Sequence, residues 1–224
     1  MGGMRKYELR YNRFAMPFKI ETHKDRFLDK IYRESMTSLN KFYGINWKHH
    51  LPSIIIVKDH KLIDAIRGEK TEQWFVAWAN GRNIFVLDRK NLGKGSKHNE
   101  YTPEAYAALI KHELSHSFYE ILSEGKNRPI WLCEGTATFT SGQNRFKKRP
   151  SKFSKFLKFH DKGGGDVYGE SGFVVMMLVD RYGKHKLLKL IKGTKDIRSR
   201  KEFGRLFKGI YGFSPTYAEF NRLA

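Results

Sequence analysis

The stretch Thr102–Tyr119, TPEAYAALIKHELSHSFY, decides how this chain is read. Thr102 carries a side-chain oxygen suited to capping a helix. Pro103 suits the first helical position, where its missing N–H is not needed. A helix opened there runs on to near Gly125. His112 and His116 stand four positions apart, which on a helix places two imidazoles on one face, one turn apart. Two imidazoles so placed bind one zinc ion at about 2.0–2.1 Å. Glu113 follows His112 and is rotated from it by about 100°, which makes it a poor third ligand. It is placed instead to take a proton from water, whose pKa zinc lowers to about 7. The ordinary alternative is a pair of solvated or core histidines in a chain that has 9 of them. Neighbouring residues must decide between the two.

A catalytic zinc site needs a third protein ligand and an open position. The metzincin extension of the motif requires Gly at 119 and His at 122. Tyr119 and Leu122 stand there, so that version fails. His160 and His185 are distant, in stretches with ordinary readings. The remaining option is Glu134, in PIWLCEGTATF (Pro129–Phe139), with 17 residues between it and His116. That interval holds a helix end, a loop and one turn of a second helix, which should stop at Gly142. An antiparallel second helix brings the carboxylate back to the same ion. Cys133 reads as a small buried residue, with an adventitious metal-binding thiol as the alternative. Thr138, one turn past Glu134, is a candidate hydrogen-bond partner for it.

The combination of HELSH (His112–His116) with Pro129-x-Trp131-Leu132-x-Glu134-Gly135-x-Ala137 resembles the gluzincin metallopeptidases, the peptidase-MA-like group that includes thermolysin. The second half is the more telling, since a bare HExxH recurs by chance. The hairpin-like stretch Trp74–Asp88 and the segment VYGESGFVVMMLVDRYG (Val167–Gly183) also resemble parts of that group, so the likeness covers about residues 50–195. It implies a thermolysin-like catalytic domain acting on a peptide or protein substrate. It implies His112, His116 and Glu134 as zinc ligands and Glu113 as general base and later proton donor. It also implies a tyrosine or histidine that stabilises the oxyanion. Tyr168, which follows the glycine run Gly163–Gly165, is the candidate; His160, Tyr182 and Tyr119 are the alternatives.

Outward from the motif, the chain divides by pattern. YELRYN (Tyr7–Asn12) alternates weakly and reads as a first strand. Phe27, Leu28, Ile31, Met36, Leu39 and Phe42 follow helical spacing across Asp25–Phe42. SIIIVKD (Ser53–Asp59) is a β-branched run that reads as a buried strand. In Trp74–Asp88, two strand-like runs flank Asn80-Gly81, which supplies the two positive-φ positions of a type I′ hairpin turn. Past the motif the pattern is helical: Ser151–His160, Tyr168–Tyr182, Leu187–Ile191 and Phe203–Phe207. The expected class is α+β, with a mixed or antiparallel N-terminal sheet with helices, the motif helix, and a mostly helical C-terminal part. Residues 1–126 form the sheet-and-helix part and 127–224 the helical part with the third ligand, together one catalytic domain.

Composition sets the outer bounds. A chain of 224 residues, 40% hydrophobic, can bury a substantial core. Its N-terminus has no apolar signal core, and it has 1 cysteine, which together point to a reducing, cytoplasmic setting. The longest apolar run, Phe173–Val179, is too short to span a bilayer. Formal net charge is +20, and residues 144–224 hold 20 Lys and Arg against 7 Asp and Glu. Such an excess attracts polyanions, nucleic acid or acidic protein, through the basic C-terminal part. A second functional reading follows: a basic nucleic-acid-binding protein with a structural or vestigial zinc site. No helix-turn-helix, zinc-finger or RNA-recognition pattern accompanies it.

Overall fold

The computed structural model describes residues 24–93 and 102–224. The strand expected at Tyr7–Asn12 lies outside them. Helix α1 (Arg26–Tyr43) starts where Asp25 accepts hydrogen bonds from the backbone N–H groups of Phe27 and Leu28, and it ends at Gly44, in the left-handed conformation. Its buried stripe is Ile31, Met36, Leu39 and Tyr43. Strand β1 (Ser53–Val57), helix α2 (His60–Arg67) and strands β2 (Ala77–Asn80) and β3 (Asn83–Leu87) follow. The sheet order is β1-β3-β2, with β1 parallel and β2 antiparallel to β3. The sheet is therefore mixed, one of the two forms the sequence left open.

Alternation along the strands sorts side chains to two faces. Ile84 and Val86 of β3 join the large helical core, whereas Leu87 packs with Val57, Ile63, Val76 and Trp78 under α2. Helix α2 has no counterpart in the sequence reading: HKLIDAIR is 8 residues, little more than two turns. The hairpin forms as expected, but its turn is displaced by one residue. Asn80 pairs with Asn83, so Gly81 and Arg82 are the loop residues. Only Gly81 takes positive φ there, the pattern of a type II′ turn rather than I′. The register is fixed instead by the cross-strand pair Trp78–Phe85, whose rings stack at 4.5 Å.

The rest is helical: α3 (Pro103–Leu122), α4 (Ile130–Ser141), α5 (Val167–Tyr182), α6 (Lys184–Gly193), α7 (Arg200–Tyr211) and α8 (Tyr217–Leu223). Thr102 caps α3 by accepting from the Ala105 N–H, and Pro103 opens it. α3 lies against the sheet, and α4 packs between α3 and α5. The approach of α4 to α5 is close enough to require glycine. A Cβ on Gly135 would stand 2.6 Å from the Ser171 carbonyl oxygen, and one on Gly172 would overlap Thr138 and Asn144. The far end is an aromatic cluster in which Trp131 meets Phe156, Phe203 and Phe220. One buried apolar cluster runs from Ile31 to Leu223 and joins the two segments.

Ser151–His160 does not form the expected helix. Only a single 3-10 turn, Phe156–Lys158, is present. The Glu170 carboxylate accepts the backbone N–H groups of Ser154, Lys155 and Phe156, and the Asn221 side chain accepts that of Phe153. Side chains thus take the donors a helix would have used, while Phe153 and Phe156 still bury. No described helix is long and apolar enough to cross a membrane.

Candidate metal centre

His112, His116 and Glu134 converge. The Nε2 atoms of the two histidines are 3.1 Å apart, and Glu134 Oε2 is 3.2 Å from His112 Nε2 and 3.5 Å from His116 Nε2. The two imidazoles can offer at most one Nε2–H each to three contacts, whereas a cation placed among the three atoms would satisfy all of them. A tetrahedral ion about 2.0–2.1 Å from its ligands separates them by about 3.3 Å, close to all three distances. This donor set of two imidazoles and a carboxylate can hold a metal ion, and it is the one His/Cys/Asp/Glu cluster of that kind among the described residues.

Local structure explains the convergence. His112 and His116 are one turn apart on α3, and Glu134 comes from the first turns of α4. On the other flank of α3, Ser115 hydrogen-bonds Tyr43 at 2.7 Å and Thr140 at 2.8 Å, which ties α1, α3 and α4 together. Ser115 and Glu113 differ by about 160° around the helix axis, so the brace at Ser115 turns Glu113 the other way. His116 Nδ1 faces the thiol of Cys133 at 3.3 Å. With a cation on Nε2, Nδ1 would carry the hydrogen and donate to the sulfur, fixing the ring. Cys133 is thus an orienting neighbour of a candidate ligand, a role the sequence reading did not give it. The only signal was its place beside Glu134. His112 Nδ1 is buried with no hydrogen-bond partner among the described residues, unlike the usual ligating histidine. Thr138 does not bond Glu134: its hydroxyl is also unpartnered, and its methyl faces Gly172.

The charges are coupled. Burial alone pushes the Glu134 carboxyl up, but His116 and His112 outweigh it and hold the group well below the usual carboxylate range. Burial lowers His116, and Glu134 and Cys133 reverse this, so His116 is raised overall. Glu113 is raised, chiefly by burial, with His112 and His116 opposing. Its carboxylate forms no ion pair or hydrogen bond with a described residue. Glu113 is thus a buried base candidate with its lone pairs uncommitted.

A cavity of about 720 Å³ lies beside the cluster, between α3, the Trp74–Ala77 approach to β2, and the segment after α4. His112, Glu113 and Tyr168 line it. The Tyr168 ring lies 6.1 Å from that of His112, centroid to centroid. Burial, then Glu134 and Glu113, raise its hydroxyl far above the ordinary value, so it is a donor at any working pH. His160, Tyr182 and Tyr119 do not line the cavity. His160 packs on Phe203, Tyr182 packs on Tyr211, and Tyr119 is buried in the core. The cavity also contains Lys147, which the sequence reading counted only within the basic excess of residues 144–224. No known protein family, curated protein or solved structure matches the chain.

Proposed function

We propose that the protein is a zinc-dependent metallopeptidase of gluzincin type. The observation that carries this reading is the gathering of His112, His116 and Glu134 beside a cavity lined by Glu113. The three residues would hold zinc, which when bound acidifies water and polarises a carbonyl oxygen. Glu113 accepts the proton of the attacking water and returns it to the departing amine. Its burial-raised pKa brings it nearer neutrality, where a group that both takes and gives a proton works best. Tyr168 donates its O–H to the oxygen on which charge develops. Among the described residues β2 pairs with β3 alone, and its first residue lines the cavity. An extended peptide adds to that edge through main-chain hydrogen bonds. The thermolysin-like domain assignment rests on the same motif and belongs to the same proposal.

Glu113→Gln tests the reading: the variant should keep its zinc and lose peptide hydrolysis by about 1,000-fold or more. Full activity in that variant would sink the mechanism. The net charge of +20 favours a second reading, in which polyanion binding through the basic C-terminal part is the main activity and the metal structural. It predicts salt-sensitive binding to duplex DNA and no chelator-sensitive hydrolysis.

A further inference from the structure

Lys147 is the one cationic side chain among the described residues lining the cavity, histidine aside. It is half-buried, and its ammonium donates to the carbonyl oxygen of Tyr168 at 3.0 Å. It forms no ion pair with a described carboxylate, and apart from the Tyr168 carbonyl and the Tyr168 ring, 5.3 Å away, its N–H donors meet no partner among the described residues. Half-burying an ammonium with no described carboxylate in contact is costly. Burial accordingly holds its pKa down at about 8, against the pull of Glu134. Most lysines of this chain could hold a positive charge in water at no such cost. One turned into a cavity that also contains the base candidate Glu113 calls for an anion supplied from outside.

The position sets a length. The ammonium lies 5.3 Å from the Tyr168 ring centroid, which is 6.1 Å from that of His112. It is therefore no further than about 11.4 Å, the sum of the two, from the His112 ring. An extended peptide advances about 3.3–3.6 Å per residue, so that span corresponds to about three residues at most. Phe75, Val76 and Phe146 add apolar wall to the same cavity.

We propose that Lys147 receives a carboxylate of the substrate and confines cleavage to bonds within about three residues of it. This rests on the peptidase reading for its substrate class, though the site would bind a carboxylate whether or not hydrolysis follows. The carboxylate has two possible sources, the C-terminus of a peptide or an acidic side chain.

The test uses the N-acetylated tetrapeptide Ala-Phe-Leu-Ala in three forms: free C-terminal acid, C-terminal amide, and an amide with glutamate as the last residue. Binding is measured by isothermal titration calorimetry on zinc-loaded Glu113→Gln protein, so that no turnover intervenes. The free acid should bind at least about 10-fold more tightly than the plain amide, the scale of one charge-assisted contact. Tight binding of the glutamate amide as well would assign the site to any carboxylate, and weak binding of it to the C-terminus. Lys147→Met should remove the preference and Lys147→Arg should retain it, which separates recognition from a folding defect. Hydrolysis of the same peptides by unmodified protein is scored separately. A preference in binding without turnover would defeat the peptidase reading and leave the carboxylate site standing. Equal binding of acid and amide, or no binding of either, would overturn the site itself.

Discussion

Zinc should raise the thermal stability of this protein, and the ligand geometry says why. The three donor–donor distances of 3.1, 3.2 and 3.5 Å all lie within about 0.2 Å of the edge of a zinc tetrahedron, about 3.3 Å. Little reorganisation is needed, so the folded state binds zinc in preference to the unfolded chain, and that preference stabilises it. At free zinc 1,000 times the dissociation constant, that is about 4.1 kcal/mol. For a chain of 224 residues each kcal/mol moves Tm by about 2–4 °C, giving a rise of about 8–16 °C. The assay is a melting series against buffered free zinc, with metal stoichiometry measured on the dialysed protein. His112→Ala and Glu134→Ala should each cut the rise to about 2 °C or less at the same zinc, since a two-ligand site binds far more weakly. Glu113→Gln should keep the full rise, because Glu113 lies outside the converging set. An unchanged melting temperature with no bound zinc in the unmodified protein would refute the three-ligand geometry. So would a full zinc response in His112→Ala.

Tyr168→Phe should lower kcat by about 100-fold with little change in KM, the scale of one lost oxyanion donor; equal kinetics would remove Tyr168 from the reaction. Glu170→Ala should destabilise the fold by about 3 kcal/mol in urea unfolding, because the N–H groups of Ser154, Lys155 and Phe156 lose their acceptor. A loss under about 1 kcal/mol would mean that the Ser151–His160 segment finds other partners. The preference for a free-acid peptide should fade as pH rises through about 8, because a neutral Lys147 amine holds a carboxylate weakly. Glu113, His112 and Tyr168 line the same cavity and Glu134 acts on Lys147 from beside it, so the Lys147→Met protein supplies the baseline; the same fading in that variant would exclude Lys147 as its source.

Much of the site was legible because it is written in local spacing. His112, Glu113 and His116 occupy one helical turn, and the Thr102-Pro103 start made that helix readable. Glu134 could be placed because a short interval between two helices leaves few geometries. Lys147 could not. Its meaning depends on which side of the turn after α4 faces the cavity, and a lysine-rich sequence does not mark that side. The same limit hid the role of Cys133. The Ser151–His160 error has a different origin: apolar spacing alone was helical, and the competing acceptor, Glu170, lies 14–16 positions away. The turn at Gly81 slipped by one position because the ring pair Trp78–Phe85, and not the Asn-Gly dipeptide, sets the register. Helix α2 was missed for want of length.

The glycine at 135 has a consequence for descent. Its neighbour across the helix crossing is a backbone carbonyl, that of Ser171. A bulky side chain there could shrink in a second mutation, whereas a carbonyl is present whatever residue occupies position 171. No single compensating change restores room for a Cβ beside the Glu134 position. Gly172 meets side chains, Asn144 and Thr138, and so has an escape through them. In lineages of this chain, position 135 should therefore stay glycine while 172 drifts together with 138 and 144. That difference is a fingerprint by which distant copies could be recognised when the rest of the sequence has diverged.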